Sequence, residues 1–308
     1  MPKRQIRVRM GRAIAGNAWR FLRLALVLIL ATVPAFGQSS PAKTEASADT
    51  EAIPGIRALM AEVVDHQKQL EKIRENYTYR SFFTDEEMDS NGQLKKTETE
   101  EREVFFVNTH RVERTVKKNG KPLDDHDRQK EQNRVNKLVE KAQNTPAGQP
   151  LDGQETVSIT HLLDIMDETN PRRAMFRGRS TILFDFAGKH DAKTHGVAED
   201  ASKKLAGTLW VDEKDRQVAH MEAHFTDNFH VAGGLVANVQ KGSSFVFDQA
   251  PVNGEIWFPT YAEGRVEARV LLFKGMHEHF TEKDSDYERF TVDTETGKAA
   301  AGVPDAKK

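Results

Sequence analysis

Histidine is the residue type in this chain that most invites a chemical reading. There are eleven histidines and no cysteine. His220, Glu222 and His224 alternate along one stretch, opposite the row Ala219, Met221, Ala223 and Phe225. Such residues suggest a metal, but distance argues against one. Strand residues rise about 3.3 Å each, which sets the two imidazoles roughly 13 Å apart. Zinc holds its donors about 2 Å from itself. His277 and His279, about 7 Å apart by the same rule, clasp an ion only if neighbouring strands add ligands. These histidines read as polar residues on a solvated sheet face, and neither a metal ligand nor a cofactor is expected.

Carboxylates are abundant and equally undirected. Glu98, Glu100, Glu101 and Glu103, like Asp124, Asp125 and Asp127, have the pattern of wet faces. A glycosidase pair needs two carboxyls about 5–10 Å apart across a cleft, which no spacing in the sequence specifies. Asp284-Ser285-Asp286 lacks the glycine and terminal glutamate of a calcium loop. Gly233-Gly234 and Gly242-Ser243-Ser244 precede no predicted helix, so neither is a phosphate cradle. Without cysteine there is no thiolate site, disulfide or cysteine-borne lipid. No catalytic residue is expected, and the chain reads as a non-enzyme.

The elements that would position a site are clearer than the site. Residues 1–37 have the form of a secretory signal peptide. Seven cations (Lys3, Arg4, Arg7, Arg9, Arg12, Arg20 and Arg23) precede the apolar run Leu24 to Val33, and Ala35-Phe36-Gly37 offers a small-residue cleavage site. That run falls short of the roughly 20 residues needed to span a bilayer. Loss of these cations leaves 38 Lys+Arg against 47 Asp+Glu, a net charge of −9. A chain this acidic, with no basic stripe, is a poor nucleic-acid binder. Export to a bacterial periplasm, with no membrane span in the mature chain, is the expectation; secretion beyond the cell is compatible with it.

Residues 38–54 and 295–308 read as a disordered spacer and tail, leaving residues 55–294 as one domain. Ile56, Leu59, Met60, Val63, Leu70 and Ile73 predict a helix over 55–76. Asp124 to Gln143 reads as a charged helix with the stripe Val135, Leu138, Val139 and Ala142. A shorter helix carries Ile159, Leu162, Leu163 and Met166, capped by Thr156 or Ser158 and stopped by Pro171. Period-two alternation follows to Val292, in strands 172–186, 205–212, 217–227, 235–241, 243–249, 255–262, 265–274 and 277–292. Over 173–186 it puts Ala174, Phe176, Ser180, Ile182, Phe184 and Phe186 on one side. Short turns between strands make antiparallel meanders, so the class is α+β: a large curved antiparallel sheet, an incomplete barrel, around an N-terminal helix and two inserted helices. Pro259 within a strand marks an edge or a bulge.

The stretch Gly207-Thr208-Leu209-Trp210-Val211-Asp212-Glu213-Lys214-Asp215-Arg216-Gln217-Val218 resembles the central hairpin of the bacterial outer-membrane lipoprotein carriers, the LolA/LolB-like superfamily. Glu255-Ile256-Trp257-Phe258-Pro259 and Ser285-Asp286-Tyr287-Glu288-Arg289-Phe290 are similar to its closing strands. The resemblance implies a half-barrel with an apolar cavity that accepts acyl chains. The helix near 124–143 has the look of an insertion relative to that family.

A binder of an acyl chain, lipoprotein or other apolar ligand is the leading reading. Its expected lining is Phe176, Ile182, Phe184, Met221, Phe225, Phe245, Phe247, Trp257 and Phe273, with Leu162, Leu163 and Met166 as a movable cover. The alternatives are an envelope module that binds another protein through the charged helix or a strand edge, and a metal-dependent hydrolase using His277 and His279.

Overall fold

The computed structural model describes residues 52–151, 159–231, 237–270 and 274–290. The leader, most of the spacer, the tail, the caps Thr156 and Ser158, Gly233-Gly234 and Phe273 lie outside them. Thirteen strands form one antiparallel sheet that does not close: β1 (Tyr77–Met88), β2 (Leu94–Val107), β3 (His110–Lys118), β4 (Lys121–Pro122), β5 (Met166–Phe176), β6 (Arg179–Gly188), β7 (Leu205–Asp212), β8 (Val218–Phe225), β9 (Phe229–Val231), β10 (Ala237–Val239), β11 (Ser244–Val252), β12 (Ile256–Val270) and β13 (Lys274–Arg289). The order across the sheet is β4-β3-β2-β1-β13-β12-β11-β8-β7-β6-β5, with β10 joining β12 and β9 joining β10. This is the expected α+β incomplete barrel.

Among the described residues four helices accompany it: α1 (Ile56–Arg74), α2 (Asp125–Asn144), α3 (Ile159–Ile165) and α4 (Val197–Ser202). The apolar side of α1 makes it the filler of the curved sheet. Leu59, Met60, Val63 and Val64 pack on Ile182, Phe184, Val211 and Val218. Further along, Leu70 and Ile73 meet Tyr77, Tyr79, Val104, Ile256 and Phe258. A third cluster, Phe83, Leu205, Phe225, Phe229, Phe245, Val266 and Phe280, fills the inner face beyond the helix. The charged helix α2 is capped by Asp124, whose side chain accepts from the Asp127 amide at 2.8 Å. It buries Val135 and Ala142 and packs chiefly on β3. Among the described residues no helix is long and apolar enough to cross a membrane.

Several local expectations are corrected. The run 172–186 is two strands, because Arg177 and Gly178 both take positive φ (48° and 78°) and turn the chain back on itself. Two such residues make the tight turn whose twist suits a hairpin. Ala174 pairs with Thr181 and Phe176 with Arg179, so neither shares a face with Ile182 and Phe184. The short helix ends at Ile165, so Met166 opens β5 and Pro171 lies within that strand. There the register shifts between Thr169 and Arg172. Residues 256–262 and 265–270, expected in two strands, lie in one, β12, and Lys274 opens β13. Gly264 is no turn residue: an added Cβ would stand 2.2 Å from the Phe280 ring, so glycine makes room for that ring across the strand pair. Pro259 sits opposite a register shift in β11 and inside the sheet, a bulge and not an edge. Helix α4 and strand β9 had no predicted counterpart.

Candidate functional site

Antiparallel pairing carries one inner row across four strands. Phe184 opposes Leu209, Leu209 opposes Met221, and Met221 opposes Phe247; one step along, Phe186 opposes Gly207, and Gly207 opposes Ala223. Residues directly across a ladder share a face, so this row is continuous. Above it lie α1, contributing Ile56 and Met60, and α3, contributing Leu162 and Leu163. Between helices and sheet is a cavity of about 90 Å³, also lined by Met166, Glu168, Phe184, Phe186, Ser202, Leu205, Leu209, Met221 and Ala223. Its wall is apolar apart from Glu168 and Ser202. Burial raises the Glu168 pKa, and its Oε1 is buried with no hydrogen-bond partner.

The expected lining divides. Phe184, Met221, Leu162, Leu163 and Met166 border this cavity. Ile182 is spent packing on α1, and Phe225 and Phe245 pack in the third cluster. Phe247 is buried beside Met221 without bordering the cavity. Phe176 and Trp257 are on the opposite face. The Phe176 ring stacks on His220 at 4.9 Å, and the Trp257 indole donates to Asp215 at 3.0 Å. Sequence reading missed Ile56, Met60, Phe186, Leu205, Leu209 and Ala223 as cavity residues. Every one of them lies on a helix stripe or strand row that periodicity exposes; what periodicity lacks is which rows end up facing each other.

The opposite face holds the histidines. His220 is buried, not solvated as expected, with Nδ1 2.5 Å from Asp248 and Nε2 3.1 Å from Glu222. Burial lowers its affinity for a proton, but Asp248 and Glu222 outweigh this and raise its pKa. His279 lies 2.9 Å from Glu86 and 2.9 Å from Glu263.

A second polar group sits on the inner face away from the cavity, and the wet-face reading of β2 is corrected there. Arg102 donates to Glu100 at 2.7 Å and Glu113 at 3.1 Å. Arg111 binds Glu113 and, at 2.8 Å, Glu282. Burial works to raise the Glu113 carboxyl, yet Arg111, Arg102 and Arg134 hold it down at about 2. Asp284 has no such share of cations: burial, then the neighbouring Glu282 charge, push it up to about 8. A charge repeated at every second position of β2 was the available signal, but its partners come from β3 and β13.

No protein-family model matches the sequence, and no curated protein does. Solved structures do. A LolA superfamily protein from Nitrosomonas europaea is similar over 75% of this chain and 94% of its own, with 11% identity and a TM-score of 0.28. A DUF1329 family protein from Desulfovibrio piger gives 79% and 95%, 10% identity and 0.31. A domain assigned to outer-membrane lipoprotein sorting from Vibrio parahaemolyticus gives 76% and 92%, 10% and 0.30. At these TM-scores the fold class rests on the strand order and packing, and the neighbours add nothing about a ligand.

Proposed function

We propose that this chain is an exported, non-catalytic binder of an apolar, chain-like ligand, an acyl tail being the class that fits. The ligand end would sit between the inner sheet face and helices α1 and α3. The carrying observation is the apolar cavity itself, which the chain's own helices leave unfilled. Keeping such a void has an energetic cost. Apolar wall atoms facing it lack partners on that side and forgo contact energy. A hydrocarbon end entering it recovers that packing and gains about 0.8 kcal/mol per methylene taken from water.

Size then says something about mechanism. An engineered apolar cavity of about 150 Å³ accepts benzene, so 90 Å³ holds only the end of a chain. More room requires α3 to shift. That helix is seven residues long. Exposed contacts help hold it: Arg57 to the Leu163 carbonyl and Asp164 at 2.9 and 3.0 Å, and Lys189 to the Asp164 carbonyl at 3.0 Å. Exposed pairs are worth about 0–1 kcal/mol each, so most of the cost of shifting α3 lies in the packing of buried Ile165 and of Leu163. Glu168 sets the one polar condition. A ligand with a donor group beside its tail would satisfy the orphaned oxygen.

The test is lipid extraction and native mass spectrometry on protein from its own envelope, together with binding of a fluorescent fatty acid. Ala223→Leu, which fills the cavity from its floor, is expected to cut probe binding at least about tenfold, a loss of about 1.4 kcal/mol, with thermal stability kept. Probe binding unchanged in that variant, in a protein that carries no lipid, would overturn the proposal.

A further inference from the structure

Helices α3 and α4, which border the cavity through Leu162, Leu163 and Ser202, hold beside it a group of side chains that the apolar-binder reading does not use. His161 on α3, His195 just before α4 and Glu199 on α4 bring one nitrogen or oxygen each within 4.8 Å of one another. Among the described residues they are the group of histidine and acidic side chains so arranged. Glu199 is buried although charged residues seldom are. Its Oε1 lies 2.8 Å from His161 Nδ1 and its Oε2 3.6 Å from His195 Nδ1, and the His195 amide donates to Oε2 at 2.5 Å. The imidazole rings face each other at 5.9 Å between centroids.

We propose that His161, His195 and Glu199 form a site for a divalent transition ion of the zinc class, which ties α3 to α4 across the cavity rim. Two imidazoles and one carboxylate are a zinc donor set, with the fourth tetrahedral position left to water. Calcium and magnesium prefer oxygen donors alone, so they are the wrong class. A tetrahedral ion about 2.0–2.2 Å from each donor sets donors roughly 3.3–3.5 Å apart. The His161–Glu199 pair needs only to relax outward, and the widest pair, within 4.8 Å, to close by no more than about 1.5 Å. His195 supplies that movement: its side chain is 81% exposed and precedes Gly196, whose φ is 86°. The burial of Glu199 adds to the case, because a cation bound in place stabilises a carboxylate withdrawn from water.

The consequence for the cavity comes from connectivity. Leu162 and Leu163, next in sequence to His161, border the cavity, and so does Ser202, one turn beyond Glu199. An ion held by both helices resists the opening of α3. Only the ligand-binding use of that opening depends on the apolar-binder reading; the ion site stands apart from it.

The test uses tag-free full chain, stripped of metal and titrated with zinc chloride at pH 7.5 by equilibrium dialysis. Hydrogen exchange of the 161–166 amides is followed with and without zinc. The expected result is one zinc per chain at the site and slower exchange in α3. His195→Gln and, separately, His161→Gln lower the zinc affinity at least about tenfold, since losing even an outer-shell partner typically costs 10–100-fold. His279→Gln leaves it unchanged. Exposed His195 can be replaced without unfolding the chain, and an unchanged melting temperature without metal checks that. Absence of zinc binding, or binding indifferent to both His195→Gln and His161→Gln, overturns the site. Zinc bound with no change in α3 exchange overturns the tie between helices. Fatty-acid binding is measured separately, so its failure strikes the function proposed above and not the metal.

Discussion

Asp284 is the residue with the most to say about pH. Its carboxyl is buried among Glu282, Arg111 and Glu113 and raised to about 8, against 3.8 for an unfolded aspartate. The folded protein therefore holds a proton that the unfolded chain has already lost. Stability contributed by that neutral form is present below about pH 4 and is lost as pH rises towards 8. Asp284→Asn, which is neutral throughout, is expected to be more stable than wild type at pH 9 by about 1–3 kcal/mol and similar at pH 4. Urea unfolding at both pH values checks this; an equal difference at the two would refute it. Phe258 gives a simpler expectation. It is fully buried, with the rings of Tyr77, Tyr79, Tyr287 and Phe106 between 5.2 and 6.1 Å away. Phe258→Ala should cost about 3–5 kcal/mol by the same measurement. At this scale the sequence was half legible. The oily character of Phe184, Met221 and Leu163 could be read directly, whereas the pairing of Arg111 with Glu282, 171 residues apart, leaves no local trace.

Elements were easier to foresee where their causes are local. Helix α1 follows from its apolar stripe, and α2 from its charged surface with the stripe that holds Val135 and Ala142. The failures are also physical. Arg177-Gly178 looked like a strand interior because an arginine beside a glycine is a weak turn signal, and this reversal sent Phe176 to the other face. The gap expected between 262 and 265 is absent, because Gly264 continues the strand and admits the Phe280 ring. Gly207 carries the same logic into the cavity floor. A Cβ there would lie 1.9 Å from the Glu222 carbonyl and 2.8 Å from the Phe186 ring. Backbone in mid-sheet cannot move aside cheaply, so Gly207→Ala should destabilise by about 1–3 kcal/mol or more. Since Phe186 and Ala223 both border the cavity, probe affinity should fall with it. A Gly207→Ala protein with wild-type melting and binding would show that the β7–β8 pair is looser than drawn.

The whole molecule is a sheet whose first long strand is joined to its last. β1 lies between β2 and β13, and Ser81 donates to Glu282 across 201 residues. A chain ending at residue 270 should therefore lose cooperative unfolding and bind dyes specific for exposed apolar surface, even though β5 to β8 are complete. A sharp transition in that fragment would count against this. During synthesis the early segment must wait, its aromatic side unpaired, until the final fifth of the polypeptide emerges. Slow assembly of distant strands is known to leave chains open to clumping. Until β13 is made, the strand that joins the two ends of the sheet is missing, and β1 has an open edge where β13 will pair.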